Sequence, residues 1–68
     1  MINVTPRLLE ILKERGMTQS ELSALSGVPQ GSISRFDKNS RHESAHLFSI
    51  SRALGVTIEA LFRVEEQA

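Results

Sequence analysis

The chain has 68 residues, with eight basic and eight acidic side chains, a formal charge of zero and no cysteine. A chain this short buries only about 60% of the surface its unfolded form exposes, which allows one small core and excludes a deep catalytic cleft. Without cysteine there are no disulfide staples and no zinc–cysteine cluster, so stability must come from helix packing, caps and association. The pattern predicts one all-α domain over residues 1–68, built from five short helices.

Met1-Ile2-Asn3-Val4 lacks the basic stretch and long apolar run of a signal peptide, and no apolar run nears the roughly 20 residues of a membrane span. The expected location is cytoplasmic. Thr5-Pro6 reads as a helix start, a hydroxyl cap followed by proline at the first helical position. Leu8, Ile11, Leu12 and Arg15 then share a stripe, with Leu9 beside it, and Gly16 ends the helix. Thr18-Gln19-Ser20-Glu21 fits a capping box, in which hydroxyl and carboxylate each satisfy the other residue's amide. Leu22 and Leu25 are placed on one inward face of this second helix, and Gly27 stops it.

Val28-Pro29 turns the chain into a third helix from about Gln30 to Lys38, with Ile33 and Phe36 inward. Asn39 to His42 reads as a polar loop. Ser44 is expected to cap a fourth helix with Leu47, Ile50 and Leu54 inward, ended by Gly55. Thr57 is expected to cap a fifth helix presenting Ile58, Leu61 and Phe62, followed by a frayed tail over about 65–68. No strand-like alternation is expected.

Thr18 to Phe36 carries the functional signal. Two helices of about two turns each, joined by a short turn with a glycine, form a helix-turn-helix at about 18–38. Ser23 is small where the helices must approach, and Val28 and Ile33 pin the second from beneath. With Ile33 and Phe36 inward, a spacing of about 100° per residue turns Gly31, Ser34, Arg35 and Lys38 outward and leaves Gln30 at the flank. Arg35 suits guanine O6 and N7, and Gln30 suits adenine N6 and N7. Charge is distributed to match. Val28 to His46 holds Arg35, Lys38, Arg41 and two histidines against Asp37 and Glu43, whereas acids dominate after Thr57. The zero total predicts modest non-specific affinity and a shallow salt dependence.

The ordered runs Thr18-Gln19-Ser20-Glu21-Leu22-Ser23, Ser26-Gly27-Val28, Ser32-Ile33-Ser34-Arg35-Phe36 and Leu54-Gly55-Val56-Thr57 with Leu61-Phe62 resemble the lambdoid phage repressor and Cro family, also called Xre type. The likeness covers about residues 6 to 62. It implies a five-helix DNA-binding domain, with Gln30, Gly31 and Arg35 at base-reading positions. Gly31 departs from the long polar side chain common there, and Ser32 and Ser34 are expected to share the readout. Gln19 matches the family's phosphate-binding glutamine. Lys38, Asn39 and Arg41 match its backbone-gripping loop in position. Leu12 stands where the family's arginine partner of Asp37 is expected, so apolar packing should replace that ion pair.

The resemblance implies a non-enzymatic, sequence-specific regulator, a repressor of phage or plasmid type. It would bind a palindromic operator in double-stranded DNA as a homodimer through Val56, Thr57, Phe62 and Val64. No cofactor, metal or small-molecule effector is expected. An alternative on the same scaffold is a protein-interaction module, such as an antitoxin or anti-repressor component. The apolar first helix and zero charge support it. His42-Glu43-Ser44-Ala45-His46 spells H-E-x-x-H, but it falls where a loop enters a helix and has no third ligand nearby. Both histidines are expected to be solvated near the DNA backbone.

Overall fold

A computed structural model describes residues 1–66. It has four α-helices and a short antiparallel ribbon, in the order β1 (Ile2–Pro6), α1 (Leu8–Arg15), α2 (Gln19–Ser26), α3 (Gln30–Arg35), a 3₁₀ turn (Phe36–Lys38), α4 (Ser44–Leu54), a second 3₁₀ turn (Glu59–Leu61) and β2 (Phe62–Glu66). The core is a single cluster of Leu8, Ile11, Leu12, Leu22, Val28, Ile33, Phe36, Ile50, Leu54 and Leu61. Every helix contributes to it.

The ribbon corrects the all-α expectation. Ile2 pairs with Glu66, Val4 with Val64, and Pro6 with Phe62. Ile2-Asn3-Val4-Thr5 and Phe62-Arg63-Val64-Glu65 each alternate apolar and polar residues, the period of a strand, although the ribbon is largely exposed. Thr5-Pro6 therefore does not open a helix; it lies in β1. The expected fifth helix shrinks to one 3₁₀ turn. Thr57 Oγ1 does accept a hydrogen bond from the Ala60 amide at 3.2 Å, but from Phe62 the chain extends into β2. Glu65 and Glu66 belong to that strand, so the frayed tail does not include them. Its remaining residues, 67 and 68, lie outside the described ones.

Other local expectations divide. The Thr18–Glu21 capping box is present, with both reciprocal hydrogen bonds near 3.0 Å. The Thr18 amide beside it holds the Glu21 carboxyl below the usual carboxylate range. A depressed folded pKa gives stability that is present above the ordinary carboxylate pKa and lost as pH falls through the lowered value. The melting-temperature gap between the native protein and Glu21→Ala is therefore expected to be full at neutral pH and to close on acidification. A gap that widened in acid would contradict this.

Gly16, Gly27 and Gly55 all end helices in the left-handed region. Glu43, not Ser44, precedes α4, and Ser44 is its first residue. Leu25 points outward, 63% exposed. A spacing of three residues rotates it about 60° from Leu22, beyond the narrow stripe that this short helix buries.

The start of α1 is satisfied from a distance. Arg7 at its N-cap offers no side-chain bond to the free amides of the helix. Instead Asp37, about 29 residues away, accepts hydrogen bonds from the amides of Leu8 at 2.8 Å and Leu9 at 3.1 Å. Leu12 is buried in the core, as expected where no arginine partner stands. Asp37 thus ties the end of the α3 segment to the first turn of α1, where a negative charge suits the helix dipole. Asp37→Ala is expected to cost about 1–2 kcal/mol, the loss of a cap, read as a lower urea midpoint with an unchanged slope. At the other end of this bundle, Arg15 donates to the carbonyl of Leu54 in the last turn of α4.

Candidate nucleic-acid interface

The turn between α2 and α3 is built by one glycine and two serine hydroxyls. Gly27 takes φ 78°, a conformation that residues with a Cβ resist. The Ser23 hydroxyl donates to the Val28 carbonyl at 2.7 Å, and the Ser26 hydroxyl accepts from the Val28 amide at 3.1 Å. Ser23 is therefore more than a small residue at a close approach; it latches the turn. Val28 is buried below it, and Ile33 and Phe36 anchor the next segment. The outward side is left free.

Of the expected base readers, Gln30, Gly31, Ser34 and Arg35 are all exposed along α3. Ser34 donates its hydroxyl proton to the Gly31 carbonyl at 3.1 Å, which leaves the oxygen as an acceptor. Ser32, expected to share the readout with Ser34, is half-buried. Of the expected phosphate contacts, Gln19 is the first residue of α2 and half-buried. Lys38, Asn39 and Arg41 follow α3 and are exposed. Arg35, Asn39 and Arg41 share a cleft of about 160 Å³ with Ser32, His42 and His46.

The charges sort themselves. Among the described residues Arg35, Lys38 and Arg41 form no ion pair, and the acids near them are occupied. Asp37 caps α1, and Glu43 lies 3.5 Å from His46 Nε2. By contrast Arg7 and Arg63 both contact Glu10, at 3.0 and 3.1 Å. Their hydrogen bonds, that from Arg7 foremost, hold the Glu10 carboxyl below the usual range. A neutral chain thereby keeps a set of unpaired cations beside one helix.

The histidines are not both solvated. His42 is half-buried, its ring 4.1 Å from that of Phe36 and edge-on to Phe62. Its Nε2 lies 2.8 Å from the Phe36 carbonyl. This packing steadies the end of the α3 segment; His42 precedes α4, while His46 lies on it. No group of three or more potential metal ligands gathers among the described residues.

The residues assigned to a dimer surface fall in two environments. Val56 and Phe62 are half-buried and packed on the core. Thr57 and Val64 are exposed, Val64 at 41%. Sequence reasoning missed their neighbours on β1, Ile2 and Val4, which stand on the same ribbon face and are also exposed. The alternation Ile2-Asn3-Val4-Thr5 was the available signal. No described helix is long and apolar enough to cross a membrane.

No curated protein and no solved structure gives a significant match to the chain. The family model of the Cro/C1-type helix-turn-helix DNA-binding domain does match, over residues 7–67. That span holds the latched turn, the exposed α3 surface and the unpaired cations beside it, so by sequence and by the build of its second and third helices the chain belongs to the Cro/C1-type helix-turn-helix DNA-binding family.

Proposed function

We propose that this protein is a non-enzymatic transcriptional regulator, a repressor of phage or plasmid type, that binds a palindromic operator as a homodimer. The observation that carries the reading is the two-sidedness of α3, with Ile33 and Phe36 buried and Gln30, Gly31, Ser34 and Arg35 all open to a groove. In this role Arg35 reads a guanine and Gln30 an adenine. Gln19, Lys38, Asn39 and Arg41 grip phosphates and set register. The protein works in the cytoplasm, at the nucleoid when bound.

One domain makes few contacts, and a two-fold pair places two recognition helices on half-sites about 34 Å apart. The free edge of β2 supports such a pair. Arg7 donates to the Leu61 carbonyl at 2.9 Å. Continuing that pattern through the register pairs Thr5 with Arg63 and Asn3 with Glu65 by hydrogen bonds. The backbone groups of Phe62, Val64 and Glu66 then point away from β1. Two β2 edges meeting antiparallel about Val64 set Arg63 of each copy opposite Glu65 of the other. The β1 edge suits this less, because Pro6 has no N–H to give there.

The interaction-module alternative loses most of its first-helix support, since Leu8, Ile11 and Leu12 are buried and only Leu9 is exposed. Selection from random duplex DNA tests the proposal. Enrichment of a palindrome is expected, and no enrichment even at low salt would favour the interaction module. Arg35→Ala is expected to cost about 1–3 kcal/mol in operator binding and to relax one base position. Equal loss on all sequences would remove its base-reading role.

A further inference from the structure

Gly31 is the one glycine in the chain that does not need to be glycine for its backbone. The other three sit at helix ends with positive φ, and Gly31 does not. It stands inside α3, where glycine costs about 1 kcal/mol relative to alanine. No conformational need explains a glycine there, so the question is what occupies the space beside it.

The neighbour that uses the space is Arg35. A Cβ placed on Gly31 would lie 3.4 Å from Arg35 Nη1, 3.5 Å from Nη2 and 3.8 Å from Cζ. Three atoms of one guanidinium at nearly equal distance mean that the planar head lies against the bare helix surface at position 31. The cause is helical geometry. Residues four apart stand one above the other, and side chains lean toward the N-terminus of the helix. No acid holds Arg35 elsewhere among the described residues. Its fork of donors is therefore carried back a full turn, to the end of the recognition helix that meets base edges.

We infer that Gly31 is a positioning residue that sets the sequence specificity of this protein, by giving the Arg35 guanidinium a flat bed at the N-terminal half of α3. The inference rests on the DNA-reading role proposed above and deepens it. Position 31 makes no base contact of its own; it is spent on aiming Arg35 at a guanine edge. A methyl group at 31 meets the guanidinium at ordinary van der Waals distance and leaves it in place. A side chain with γ and δ carbons occupies the bed and displaces it.

The test uses the full chain in five forms: native, Gly31→Ala, Gly31→Leu, Arg35→Ala and the double variant Gly31→Leu/Arg35→Ala. Each is melted and each is selected against random duplex DNA. Both Gly31 variants are expected to melt at or above the native temperature, since each has higher helix propensity than glycine. Gly31→Ala, whose methyl only touches the guanidinium, is expected to retain more of the guanine preference than Gly31→Leu. Gly31→Leu is expected to lose the same guanine as Arg35→Ala, with affinity for the native site lower by about 5- to 150-fold. The double variant Gly31→Leu/Arg35→Ala is expected to bind no worse than Arg35→Ala alone. Retention of that guanine by a well-folded Gly31→Leu would overturn the inference while leaving the DNA-reading role intact. If the native protein itself enriches no sequence, the role fails and the inference falls with it.

Discussion

Ile33→Ala is expected to lower the melting temperature by about 8 to 40 °C. Ile33 is fully buried, and removing such a side chain costs about 2–5 kcal/mol, because the cavity left behind closes only partly. The whole domain has little to lose. At roughly 0.05–0.15 kcal/mol per residue, a chain of this length holds about 3–10 kcal/mol in total. The damage should also fall on the recognition surface first. The α3 helix has six residues, far fewer than an isolated helix needs to persist in water. It exists because Ile33 and Phe36 anchor it. Thermal melts followed by circular dichroism, with Ile33→Val as the graded control at about 0.5–1.5 kcal/mol, check the claim. A drop of only one or two degrees in the alanine variant would mean that α3 is held by something other than its core side.

The centre of this fold was legible because its determinants are local. The Thr18 box, the Gly27 stop and the inward pair Ile33 and Phe36 each act within a few residues of themselves. Together they define the two helices and the outward side of α3, and the exposure of Gln30, Gly31, Ser34 and Arg35 follows from them. What escaped was decided by partners far along the chain. Thr5-Pro6 carries a plausible helix-start signal, yet β1 is paired by residues some 60 positions away. The capping that Thr5 was expected to give α1 comes from Asp37 instead. The strand alternation is only five residues long on each side, too short to outweigh a local proline signal. His42 was misread for the same reason, since Phe36 and Phe62 reach it from two other segments. The Gly31–Arg35 contact is the opposite case. A spacing of four residues was in plain sight, but reading each position singly concealed it.

The dimer proposal carries the other large effect. In the pairing about Val64, Arg63 faces Glu65 of the second copy, and the two-fold axis repeats that pair. Arg63→Glu turns both attractions into repulsions. Cross-strand charge pairs contribute roughly 0.2–1 kcal/mol with either sign, so the swing over two pairs is about 1–4 kcal/mol in dimerisation. Operator binding would weaken with it, since a monomer engages one half-site. The same substitution removes the Arg63–Glu10 contact within the chain, but that exposed pair is a minor term. The exchange Arg63→Glu/Glu65→Arg separates the two effects. It also lacks the native Arg63–Glu10 pair, yet it restores opposite charges across the axis. Sedimentation equilibrium is expected to show weaker association for the single variant and recovery for the exchange. If both associate equally weakly, the loss arises within one chain. If both associate as the native protein does, the copies meet through another surface, and the free edge of β2 has a different use.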